Sequence, residues 1–91
     1  MSNNFIQKND KIFQQILPLH KAKIGKQYKI VNCQLLPDIK TRLAEMGLVK
    51  DTIVTVVKKA PLGDPIEITI RSYELTLRLS EAALVTLEVQ P

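Results

Sequence analysis

The chain has 91 residues, 45% of them hydrophobic, with no Trp and only two Phe and two Tyr, which bounds it to one domain with an aliphatic core and few aromatic platforms for stacking bases. Its single cysteine, Cys33, excludes an internal disulfide and agrees with a reducing compartment, and no apolar run nears the roughly 18 residues of a membrane-spanning helix. The net charge is +4, but residues 1–30 carry six Lys against Asp10 alone while residues 31–91 carry seven basic and eight acidic groups, so the bulk of the chain has no nucleic-acid charge footprint.

The start, MSNNFIQKND, has no basic region followed by an apolar one, so a signal peptide is not expected and a cytoplasmic location is. Residues 1–17 read as an N-terminal extension, distinct from a domain over 18–91. Within the extension Ile12, Phe13, Ile16 and Leu17 would share one face of a short helix, capped by Asn9 or Asp10 and ended by Pro18. Gly25 then turns the chain into a first strand over Gln27–Val31, which Cys33 and Leu35 continue. In PDIKTRLAEMG, residues 37–47, Ile39, Leu43 and Met46 recur at helical spacing and are expected to face the core. Pro37 and Asp38 suit the first turn, and Gly47 suits a left-handed cap with Leu48 folding back as its apolar partner.

Thr52–Lys59, TIVTVVKK, is β-branched enough for a strand buried over most of its length. Pro61, Gly63 and Pro65 make residues 60–65 a loop. Two alternating runs follow, with apolar residues on even numbers at 66–70 and on odd numbers at 73–77. That change of parity is what a two-residue hairpin loop produces, because the residues flanking it pair on one face. With Arg71-Ser72 as the loop, Ile66, Ile68, Ile70, Tyr73, Leu75, Leu77 and Leu79 all face one core. Ser80 starts a helical turn, and residues 84–89 form a last strand. Five short strands and one helix are too few for a two-sheet sandwich, and a small, partly open barrel covers its edges better.

The order of RLAEMGL, a β-branched strand, APLGDPIEI, a hairpin through Tyr73 and LSEAALVTLEV resembles the FeoA family of bacterial ferrous-iron transport accessory proteins. The resemblance covers about residues 17–89, and Ala60-Pro61-Leu62-Gly63-Asp64-Pro65 before an alternating strand is its most specific part. It implies a small Src-homology-3-like (SH3-like) barrel with an inserted α-helix, to which the residues themselves add a count of about five strands and a helical N-terminal extension that departs from the family's usual start. It also implies a cytoplasmic adaptor, not an enzyme, that works with FeoB, a membrane permease carrying a GTPase domain. FeoA-like domains also occur in iron-dependent repressors, but residues 1–17 do not read as a helix-turn-helix, so the repressor reading is not expected to hold. The family usually has Gly where this chain has Ser72, so a turn other than type I′, or a small bulge, is expected there.

The residues offer no catalytic constellation: His20 is the only histidine, and no triad or acid pair surrounds it or Cys33. No metal ligand set stands out, since His20, Cys33 and Met46 read as structural and Asp38, Arg42 and Glu45 as salt-bridged helix surface. No cofactor is expected beyond a weak or indirect Fe²⁺ association. The alternatives are a regulator that binds a transition metal directly and a small nucleic-acid-binding barrel; Tyr28 and Tyr73, both expected inward, leave the latter without a stacking surface. A protein-binding module fits better. Leu62 sits in a loop stiffened by Pro and Gly, either presented to a partner or folded back to plug the barrel, with Lys58, Lys59, Arg71 and Arg78 as a polar rim. Lys21, Lys23, Lys26 and Lys29 could bias the protein toward an anionic membrane surface or an acidic partner. The N-terminal segment could dock on its own barrel or on a second copy, which leaves a homo-oligomer open.

Overall fold

Alternation of apolar and polar residues generates most of the sheet. The computed structural model describes residues 15–90. The strands are β1 (Ile16–Pro18), β2 (Gln27–Cys33), β3 (Ile53–Lys59), β4 (Ile66–Ile70), β5 (Tyr73–Leu77) and β6 (Val85–Val89); the helices are α1 (Pro37–Glu45) and α2 (Leu79–Ala82). All six strands join one sheet in the order β1-β6-β2-β3-β4-β5, with every neighbouring pair antiparallel. The sixth strand is β1, where the apolar spacing suggested a helix. Ile16 pairs with Glu88, Leu17 with Leu87 and Pro18 with Thr86, so pairing with β6 overrides local helical spacing. Ile12, Phe13 and the cap at Asn9 or Asp10 lie outside the described residues.

The hairpin forms in the expected register, Ile70 opposite Tyr73 and Ile66 opposite Leu77. Ile66, Ile68 and Ile70 are fully buried, each contributing about 1.5–3 kcal/mol of transfer free energy. Positive φ falls on Arg71 (56°) rather than on both loop residues, so the turn is not type I′, and the β4–β5 ladder continues without a bulge. Tyr73 is 59% exposed, contrary to the inward placement. It opens the edge strand at the hairpin tip, beyond the reach of the core.

Two register shifts bend the sheet, one between Ile30 and Asn32 against β6, the other between Val56 and Lys58 against β4. Each inserts one residue and inverts the side-chain parity after it. In β2 the core face passes from Tyr28 and Ile30 to Cys33, which packs against the core from a half-buried position. In β3 it passes from Val54 and Val56 to Lys59, which lies opposite the buried Ile66, while Lys58 lies opposite Glu67 on the outer side. β3 is therefore buried at Val54 and Val56 but exposed at Ile53 and Val57, less covered than its β-branched composition suggests.

The helix α1 buries Leu43 and half-buries Ile39. Met46 is 39% exposed rather than part of the core stripe, because the helix stops at Glu45. Gly47 turns left-handed (φ 103°), its N–H donates to Ala44 O (2.9 Å), and Leu48 N–H donates to Leu43 O (3.0 Å). Leu48 thereby occupies the core place that periodicity assigned to Met46. α2 begins at Leu79, one residue before Ser80, with Arg78 as its N-cap: Arg78 N–H donates to Glu81 inside the helix, and Leu79 N–H donates to Asp64 from the preceding loop.

Candidate partner-binding site

The loop between β3 and β4 is held tightly at its base. Ala60 N–H donates to Pro65 O (3.0 Å), and Gly63 N–H donates to Ala60 O (2.8 Å), closing a 3-10 turn over Pro61–Gly63. Pro61 fixes the entry φ, and both Leu62 (φ 67°) and Gly63 (φ 78°) are left-handed. Glycine takes that conformation freely; leucine takes it at a cost. Leu62 is 99% exposed, so it does not plug the barrel. An apolar side chain stands in water on a constrained backbone.

Below the loop, Pro65 joins the wall of a cleft. Asp64 Oδ1 accepts a hydrogen bond from Leu79 N–H (3.0 Å), tying the loop to the start of α2. Glu81 accepts from Arg78 N–H through Oε1 (2.9 Å) and from Arg42 Nη2 through Oε2 (3.3 Å), tying α2 to α1. Between these ties lies an open cleft of about 720 Å³ lined by Asp38, Ile39, Arg42, Pro65, Thr76, Arg78 and Glu81. Arg42 is thus partnered by Glu81, not by the Asp38 and Glu45 of its own helix. Pro65 and Thr76 also line a smaller hollow with Lys58, Ala60 and Glu67 on the outer face of the sheet.

Of the residues expected to rim Leu62, the structure brings two to this end. Lys58 is exposed at the close of β3, and Arg78 is exposed just after β5, whose Leu77 pairs with Ile66. Lys59 is turned away by the β3 bulge: its Nζ donates to Ala22 O (2.7 Å) and His20 O (3.1 Å). Arg71 sits at the far tip of the hairpin, beside Gly47, where an added Cβ would lie 3.3 Å from the Arg71 side chain. There its cation complements the C-terminal end of α1. Lys21, Lys23 and Lys26 are exposed, whereas Lys29 pairs with Glu88 (3.6 Å).

Burial pushes the Cys33 thiol above its ordinary range, and the charge of Lys40 partly opposes this. His20 lies half-buried in the 3-10 turn Leu19–Lys21 with Nδ1 enclosed and unpartnered among the described residues. Among those residues no three His, Cys, Asp or Glu side chains are grouped to hold a metal ion, and no helix is long and apolar enough to cross a membrane. Asp38, Ile39, Thr76 and Glu81 were not picked out as one site from the sequence. Helical spacing sets Asp38 beside Arg42 on the surface of the helix, but the approach of that pair to Thr76 and Glu81 is made by the fold.

A family model described as the FeoA domain matches residues 17–89. The chain belongs to the FeoA family. The solution structure of FeoA protein from Chlorobium tepidum is 32% identical, with a TM-score of 0.79 over 82% of this chain and 71% of that one. FeoA of Stenotrophomonas maltophilia, solved in complex with zinc and described as a procaryotic SH3 domain protein, is 29% identical, with a TM-score of 0.66 over 79% of this chain and 89% of that one. The six-stranded antiparallel sheet is accordingly an SH3-like FeoA domain. A fusion protein of Fe(2+) transport protein A and Fe(2+) transporter FeoB from Porphyromonas gingivalis is 35% identical over 71 residues. That match takes in 78% of this FeoA-family chain and 8% of the fusion protein's length.

Proposed function

We propose that this FeoA-family chain is a cytoplasmic, non-enzymatic accessory of ferrous iron uptake that works by contacting a FeoB-type transporter, with Leu62 as the central contact. The observation that carries this reading is the near-complete exposure of Leu62 on a backbone already fixed by Pro61, Gly63 and two base hydrogen bonds. Such a side chain loses little conformational freedom on binding, so most of its transfer free energy becomes affinity. Lys58 and Arg78 flank it with charge, and the cleft beside Pro65 gives a partner a second foothold. The Porphyromonas relative supports the choice of partner, because there transport protein A and the FeoB transporter form one chain. Iron in this reading is the transporter's cargo.

Titration of the cytosolic part of a FeoB transporter with the wild-type chain and with Leu62→Ser tests the proposal. Burying a leucine is worth about 1.5–3 kcal/mol, so the variant should bind roughly 10- to 100-fold more weakly. Equal affinity of the two chains would remove Leu62 from the interface, and binding by neither would leave the adaptor reading without support. Micromolar affinity for Fe²⁺ under anaerobic conditions would favour a metal-responsive regulator instead.

A further inference from the structure

The turn between β1 and β2 is built to present cations. Between Asp10 and Asp38 the sequence holds five lysines and no acidic residue. The turn's backbone is secured on every side: Ala22 is buried, Lys59 Nζ caps the carbonyls of His20 and Ala22, Lys23 N–H donates to Tyr28 Oη (2.9 Å), and Gly25 N–H donates to Val56 O (2.8 Å). With the backbone anchored inward, the side chains of Lys21, Lys23, Ile24 and Lys26 stand outward. Ile24, between Lys23 and Lys26 in the chain, is 58% exposed. No ion pair engages these lysines among the described residues, whereas Lys29 is held by Glu88.

We infer that the turn Lys21–Lys26 is a docking point for an anionic phospholipid surface, with the three lysines on headgroup phosphates and Ile24 entering the headgroup–acyl boundary. Charge complementarity supplies the first part. A lysine is a compact point charge suited to phosphate, and near an anionic bilayer each contributes roughly a five-fold gain in binding, about a hundred-fold for three. The apolar residue selects lipid over nucleic acid: a polyphosphate chain gives Ile24 nothing to bury in, and among the described residues the aromatic that reaches this turn, Tyr28, is buried with its hydroxyl committed to Lys23 N–H. The inference goes beyond the contact proposed for Leu62 and does not require it, since lipid alone is the ligand.

The test is co-sedimentation of the full chain with phosphatidylcholine vesicles, with and without a large fraction of phosphatidylglycerol, at low and high salt. Wild-type protein should bind the anionic vesicles at low salt, lose most of that binding at high salt, and ignore the neutral ones. K21Q/K23Q/K26Q should lose it about a hundred-fold, in practice below detection, and Ile24→Ser should lose it several-fold. Lys29→Gln, which removes a lysine already paired, should change it less than two-fold. Thermal unfolding by circular dichroism confirms that each variant is folded. Binding to neutral and anionic vesicles alike, or a triple variant that binds as wild type, overturns the inference. So does an Ile24→Ser chain that keeps full affinity while the wild type binds polyuridylate more tightly than vesicles, which would assign the turn to nucleic acid.

Discussion

Leu62→Gly separates what the loop costs the fold from what it offers a partner. A residue with a Cβ at φ 67° sits about 1–2 kcal/mol above its preferred backbone regions. Glycine removes that cost but loses about 0.5–1 kcal/mol more conformational entropy on folding. The side chain is 99% exposed, so its removal forfeits almost no buried area. The net is a stabilisation of about 0.5–1 kcal/mol, which for a domain of this size raises Tm by about 2–8 °C. Leu62→Ala is the control: it deletes the same apolar surface but keeps the Cβ, and its stability should lie within about 0.5 kcal/mol of wild type. Urea unfolding monitored by circular dichroism reads both variants, and the slope of the transition should not change. A loss of more than about 1 kcal/mol in Leu62→Ala would mean that the side chain packs on the barrel, refuting both its exposure and its role as a presented contact.

Replacing Lys59 by Met keeps the aliphatic stem but removes the two bonds to His20 O and Ala22 O; a charged donor of this kind is worth about 1.5–3 kcal/mol, read as a lowered urea midpoint. Asp64→Ala strips the acceptor from Leu79 N–H at the start of α2 and should cost about 1 kcal/mol, with Asp64→Asn recovering most of it in the same unfolding assay. The raised thiol pKa of Cys33 means that the native state holds its proton to higher pH than the unfolded chain. Stability from this group is therefore complete below the ordinary thiol range, about pH 8.5, and declines as pH rises through the folded value. Alkylation by iodoacetamide should accordingly be slower in native protein than in urea, and a Cys33→Ser chain should lose this alkaline decline.

Local alternation is visible in one sequence, and it located the β4–β5 hairpin to the residue. The β3 bulge was not visible. Val54 to Val57 is β-branched throughout, and nothing in TIVTVVKK marks which residue is extra; only the pairing of Lys58 with Glu67 and Lys59 with Ile66 decides it. That one inserted residue moves Lys59 off the solvent face and onto the Leu19–Lys21 turn. Met46 fails for a related reason: helical spacing continues in the sequence past the point where Gly47 ends the helix, and Leu48 fills the vacated place. Leu62 was legible as a stiff loop residue, but whether it plugged the barrel or left it depended on its left-handed backbone. The cleft was least legible, since Arg42 and Glu81 meet across 39 positions of chain.

Lys59 connects the two surfaces proposed for binding. Its backbone precedes Ala60, the residue whose N–H and carbonyl close the Leu62 loop, while its ammonium fixes the carbonyls on either side of Lys21. Leu62 follows Lys59 by three positions, at most about 11 Å of extended chain. A side chain that clamps one turn and leads into another limits how independently the two can move. If the lysine turn rests on a bilayer, Leu62 is then held at a defined height from that bilayer, which is the arrangement a contact with the cytosolic face of a membrane transporter requires. Lys59→Met should consequently weaken vesicle binding and transporter binding together, although Lys59 would touch neither ligand. Weakening of one without the other, in a variant that remains folded, would show that the two surfaces are not coupled through this residue.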